Sequence, residues 1–150
     1  PRLVAAEQKQ HERGVMPSGV ASLDALLGGG IDRGAATLLL GPAGAGMSTV
    51  AMKFAESAAR RGERSVMYVF DESVPMLRGR AEGLGIKLSE EISIRAVDAA
   101  ELSPGQFSVD VQRRVETEDV RLIVIDSLNG YLNAMPGERF EQRLKNDRRG

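Results

Sequence analysis

The sequence predicts an α/β fold with a mostly parallel sheet flanked by helices, and three observations lead there. Short apolar runs alternate with helical patterns along the chain, as in successive βαβ units. The runs at 36–40, 65–70 and 121–126 are nearly continuous in apolar residues and bounded by turn residues, as buried strands are. Residues able to do chemistry follow or end these runs, where sheets of this class bind ligands.

The elements follow in order. Residues 1–14 are polar and charged and read as a lead-in arm, with His11 a solvated surface residue. Residues 15–150 form the domain. Val20, Leu23, Leu26 and Leu27 recur at helical spacing, and Gly28-Gly29-Gly30 stops that short helix. Ala36-Thr37-Leu38-Leu39-Leu40 is the first buried strand. From Ser48 to Arg61 a helix presents Val50, Phe54 and Ala58 on one face, with Ala51 and Ala55 beside them, and Gly62 ends it. The run at 65–70 is the second buried strand and leads into Asp71-Glu72-Ser73. In the next helix Leu77, Ala81 and Leu84 face inward, and Gly85 is its stop. Residues 92–97 alternate apolar and polar, as a half-exposed strand would. Ser103 is then an N-cap with Pro104 at the first helical position, Gln106 completing a capping box and Leu102 stapling to Phe107. Phe107, Val111 and Val115 face the core, and the run at 121–126 is a third buried strand ending in Asp126. A turn, a short apolar piece around Tyr131-Leu132 and a charged tail complete the chain, with no internal repeat.

Composition narrows the classes of partner. A chain of 150 residues with 42% hydrophobic residues can bury a sizeable core. Lys+Arg of 20 against Asp+Glu of 21 gives a net charge of −1, so no global basic surplus points to nucleic acid or an anionic membrane. The absence of cysteine excludes disulfides and thiolate metal sites and suits a reducing compartment. No apolar run approaches membrane-spanning length, and the first residues lack a signal-peptide layout, so the expectation is a cytoplasmic protein without membrane or nucleic-acid partners.

The most specific local pattern is Gly41, Pro42, Ala43, Gly44, Ala45, Gly46, Met47, Ser48 and Thr49. In a G-x-x-x-x-G-K-[ST] loop, small residues let backbone N–H groups converge on phosphate oxygens, and the helix beneath adds its positive N-terminal end. Gly41 and Gly46 hold the framing positions, Ser48 the hydroxyl position that ligates Mg²⁺, with Thr49 beside it. Met47 stands where the lysine belongs, and Lys53 is too far along the helix to replace it. Loss of that ammonium weakens ground-state binding by about 1.5–3 kcal/mol. It costs the transition state more, on the order of 10²–10³ in rate. The bland alternative is a Gly/Ala-rich turn that binds nothing. Asp126 suits the carboxylate that accompanies Mg²⁺ at such a loop, although an acid at a strand end is often just a turn residue. Asp71 and Glu72 are candidates to orient and deprotonate an attacking water, with Glu72 ahead because of its reach; otherwise one of them caps the following helix. The arginines at 60, 61, 64, 78, 80, 113 and 114 read as solvated helix faces and ends.

Several of these segments together resemble the KaiC-like branch of the RecA/RadA-type P-loop ATPases. They are Gly19-Val20-Ala21-Ser22-Leu23-Asp24 with LLGGGIDRG, the GPAGAG-ST loop, YVFDES, DAAELSPGQF and VIDSLNGYLNAMP, and the likeness runs from about Gly14 to about Arg139. The resemblance implies a RecA-like P-loop NTPase core that binds ATP or ADP with Mg²⁺. It also implies assembly into a homo-oligomer, a ring or filament and by resemblance a hexameric ring, with ATP near subunit interfaces. Asp71 and Glu72 match the paired catalytic acids, Asp71 being shorter than the usual Glu, and Ser48 and Asp126 match the Mg²⁺ residues. In RecA-like sheets a strand encoded after the Asp126 strand inserts between it and the phosphate-loop strand. No such pattern follows Met135, so a standard core is expected not to close from these residues alone. The resulting expectation is an ATP-binding domain of an oligomeric ATPase whose hydrolysis is impaired by Met47. A non-catalytic nucleotide-sensing or assembly module and a RadA-like DNA-repair ATPase stand as the alternatives.

Overall fold

In the computed structural model, residues 14–40, 46–70, 72–98 and 100–127 are described. Their elements are β1 (Val15–Met16), α1 (Ala21–Leu26), β2 (Ile31–Asp32), α2 (Met47–Arg60), β3 (Arg64–Phe70), α3 (Val74–Gly83), β4 (Ile92–Val97), α4 (Pro104–Thr117) and β5 (Val120–Asp126). The expected apolar pieces at 131–132 and the polar arm up to residue 13 lie outside the described residues.

The apolar run of β3 explains the layers. Every residue of β3 after Arg64 is buried, so both faces of the strand need cover. Met67 and Val69 pack against Met52 and Ala55 of α2 and Leu77 and Ala81 of α3. On the opposite face Val66, Tyr68 and Phe70 pack against Phe107 of α4. The Tyr68 and Phe107 rings meet edge to face at 4.8 Å. A sheet covered by helices on both sides requires crossover connections, and these make the strands parallel. The order is β4-β3-β5, with β3 parallel to both neighbours. Phe70 lies beside Val97, and Val69 beside Asp126, so all three carboxyl ends open at one edge.

One expected strand is corrected by the structure. Residues 36–40 join no sheet, and Leu38, Leu39 and Leu40 are 60%, 42% and 81% exposed. A cleft of about 680 Å³ is lined by Leu38 and Leu39 together with Leu122 and Val124 of β5 and Phe54 of α2. A strand needs a hydrogen-bonded neighbour about 4.8 Å away, and among the described residues β5 pairs only with β3. The apolar pattern of 36–40 is therefore intact while the pairing that would make it a strand is missing.

Smaller departures have local causes. The antiparallel pair of β1 and β2 has two residues per strand, too few to leave a periodic signal. Gly30 closes this pair, since a Cβ there would stand 2.2 Å from the Met16 carbonyl oxygen. Asp24 caps the approach to α1 by accepting from Ser18 N (2.7 Å), Ser18 Oγ (2.7 Å) and Gly19 N (3.1 Å). Pro104 does begin α4, but Ser103 makes no side-chain cap bond there. Leu102 and Val111 pack with the Phe107 cluster as expected. Val115 and Leu84 face outward instead, at 45% and 50% exposure, Leu84 standing at the C-cap of α3. Arg114, expected on a solvated face, is 3% exposed and donates to Asp110 Oδ2 (3.0 Å) and Glu118 Oε2 (3.1 Å).

Two carboxylates tie layers together and set an acid limit. Arg33 grips both oxygens of Glu63 at 2.6 and 2.8 Å, joining the turn after β2 to the loop before β3. Those bonds, against some burial, hold Glu63 at about 2. Burial would raise Asp110, but hydrogen bonds from Tyr68, Arg113 and Arg114 outweigh it and hold it at about 2. Both folded values lie below the unfolded ones of 4.5 and 3.8. Their stabilisation is therefore complete above about pH 4.5 and lost as pH falls toward about 2. Thermal midpoints followed by circular dichroism should drop across that window, and Glu63→Gln should flatten the drop while costing about 1 kcal/mol near neutral pH. A midpoint in the parent chain that does not change across the window would contradict the assignment.

Candidate phosphate and metal site

The site is built where α2 begins. Gly46 is its N-cap with φ 84°, a left-handed conformation that glycine adopts without strain. The first helical bond runs from Val50 N to Gly46 O at 3.0 Å. The N–H groups of Met47, Ser48 and Thr49 therefore have no partner within the helix and carry its partial positive charge. α2 keeps a fixed orientation because Met52, Phe54, Ala55 and Ala58 of its inner face are buried.

Across the sheet edge, Ser48 Oγ donates to Asp126 Oδ2 at 2.6 Å. Seventy-eight residues separate the two in sequence, and the β3–β5 register closes the distance. A hydroxyl and a carboxylate in contact form an all-oxygen donor pair. That suits a hard cation such as Mg²⁺, which takes one or two protein oxygens and completes its shell with phosphates and water. Among the described residues no cluster of three His, Cys, Asp or Glu side chains could hold a metal alone. The peptide after Asp126 is cis.

Met47 lines the apolar cleft together with Ser48, Ala51 and Phe54. Lys53 is engaged elsewhere, its Nζ 3.6 Å from Glu56 Oε1. Glu56 is itself buried, and it also meets Arg60 Nη2 at 3.2 Å and accepts from Lys87 N.

Glu72 lies two residues past the end of β3, with its side chain 20% exposed. It does not cap α3. Ser73 does, its hydroxyl accepting from Met76 N at 3.3 Å. Glu72 instead accepts from Arg80 Nη2 at 2.9 Å. Sequence reasoning passed over Arg80 as one more surface arginine. The available signal was an acid just ahead of a helix N-cap with an arginine two turns into that helix, whose side chain leans back toward the helix start. Of the expected site residues, Ser48 and Asp126 are in contact, while Gly46, Met47 and Thr49 share the helix start with Ser48. Gly41, Pro42, Ala43, Gly44, Ala45 and Asp71 lie outside the described residues.

Because Ser73 supplies the cap, Ser73→Ala should lower stability by about 1 kcal/mol, with Ser73→Gly costing only a few tenths. Chemical denaturation of the two variants checks this, and equal losses would argue against a capping hydroxyl.

Known proteins resemble the chain over most of its length. A family model described as "ATPase: KaiC" matches residues 16–145. The DNA repair protein RadA of Mycobacterium tuberculosis is 33% identical over 119 residues, covering 79% of this chain and 23% of the relative. The DNA repair and recombination protein RadB of Halobacterium salinarum is 32% identical over 133 residues, covering 81% of the chain and 52% of the relative. The circadian clock oscillator protein KaiC of Picosynechococcus is 37% identical over 73 residues, 49% of the chain and 14% of the relative. The chain thus spans about a quarter of the length of the RadA relatives it matches.

Proposed function

Since the chain belongs to the KaiC ATPase family and has that family's RecA-like α/β core, we propose that it binds Mg²⁺-ATP at the start of α2 and that Met47 separates binding from turnover. The observation that carries the reading is the contact of Ser48 with Asp126 at the N-terminal end of that helix.

In this reading the phosphates lie over Gly41 to Thr49, with the N–H groups of Met47, Ser48 and Thr49 directed at their oxygens. Ser48 and Asp126 would hold Mg²⁺, which would supply neutralising charge to the phosphates. Glu72, with Asp71 beside it, orients a water and accepts its proton as the water oxygen attacks the γ-phosphorus. The bond from that phosphorus to the bridging oxygen breaks, and ADP and phosphate leave. Met47 offers no cationic donor to the charge that develops on the bridging and γ-oxygens, so the cradle holds nucleotide while the chemical step is slow. Assembly into a homo-oligomeric ring and residence in the cytoplasm belong to the same proposal. Among the described residues no helix is long and apolar enough to cross a membrane.

A titration with a fluorescent ATP analogue should show binding that strengthens with Mg²⁺, and Asp126→Asn should remove most of that Mg²⁺ dependence. Single-turnover hydrolysis should rise by about 10²–10³ in Met47→Lys. Binding without any gain in the Met47→Lys chain would favour a nucleotide-sensing or assembly module, and no binding in either chain would end the proposal.

The identity to RadA over 79% of the chain supports a second reading, a DNA-repair ATPase. Filter or anisotropy assays with single-stranded DNA decide it. Binding that weakens steeply with salt supports it, and binding absent at low salt excludes it.

A further inference from the structure

We infer that Arg80 is a positioning residue for the Glu72 carboxylate, fixing Oε2 so that Oε1 is presented to the attacking water. This rests on the reading of Glu72 as the base. The Nη2 of Arg80 stands 2.9 Å from Oε2, and among the described residues no side chain or backbone donor meets Oε1. A carboxylate held at one oxygen keeps the other in a defined direction, which a free glutamate with three rotatable bonds does not.

Three features make this pairing more than a chance surface contact. Glu72 precedes the helix cap, so no backbone hydrogen bond of α3 fixes its side chain. Ser73 takes the capping role, which leaves the carboxylate available for another one. Arg80 reaches back toward the start of α3, as helical side chains do, and its guanidinium makes no other ion pair or hydrogen bond among the described residues. An arginine 41% exposed and joined to a single acid contributes little to stability. Its effect should therefore fall on geometry, where small displacements of a reacting group cost rate steeply.

The test uses the Met47→Lys chain, in which the chemical step is measurable. Single-turnover ATP hydrolysis, fluorescent-ATP affinity and thermal midpoint are measured for Arg80→Met and Arg80→Lys, each with Glu72 and with Glu72→Gln. Arg80→Met should slow hydrolysis by about 10- to 100-fold, leaving affinity within about twofold, as expected of a group acting on the transition state alone. Arg80→Lys, which keeps a cationic donor, should recover part of the rate. With Glu72→Gln in place, Arg80→Met should slow hydrolysis no further. The inference is overturned by an unchanged rate in Arg80→Met or by a loss that persists in the Glu72→Gln chain. A rate loss that merely follows weakened affinity or a lowered midpoint overturns it too. A Met47→Lys chain that binds no nucleotide, or binds it without hydrolysis, overturns the reading of Glu72 as well. Hydrolysis that is indifferent to Arg80 overturns only the present inference.

Discussion

Everything in this molecule depends on covering β3 from both sides. Six consecutive buried residues cannot be covered by one layer, so α2 and α3 cover one face of the strand and α4 the other. Helices placed as crossovers force the neighbouring strands to run parallel. Parallel strands finish at the same edge, and the residues that follow them are brought together there. The edge that carries the proposed site is thus a consequence of how an apolar strand is buried.

The contact of Ser48 with Asp126 expresses that consequence at atomic scale. Neither residue is held by its local sequence alone. Ser48 is placed by the buried face of α2, and Asp126 by its register beside Val69. The Glu63–Arg33 pair acts at the opposite end of the sheet, and the Tyr68–Asp110–Arg114 network on the face covered by α4. Glu63 and Arg33 join the loop before β3 to the β2 turn, while Tyr68, Asp110 and Arg114 join β3 to α4. Both stabilise the frame, and neither includes Ser48 or Asp126.

The cleft beside β5 shows how a correct pattern and a missing partner coexist. Leu38, Leu39 and Leu40 have the composition of a core strand, yet all three are exposed, and Leu38 and Leu39 line a cleft beside the edge of β5 that is unpaired among the described residues. Hydrophobicity makes a segment suitable for a sheet, but only a neighbouring strand supplies its hydrogen bonds. The RecA-like topology expected from the resemblance places a strand in that gap, and among the described residues none lies there.

The alternation of apolar runs and helices, the acids at two strand ends and the glycine loop with methionine in its lysine position were all legible in the sequence. They were legible because periodicity and local composition encode burial and turn chemistry residue by residue. The order β4-β3-β5, the 2.6 Å contact between Ser48 and Asp126, the cap at Ser73 and the grip of Arg80 on Glu72 were not. Nor did the sequence show that residues 36–40 would stay unpaired or that Arg114 would be buried. These depend on which side chains meet across the fold, and that is decided when the layers pack, because no local pattern specifies a partner many residues away.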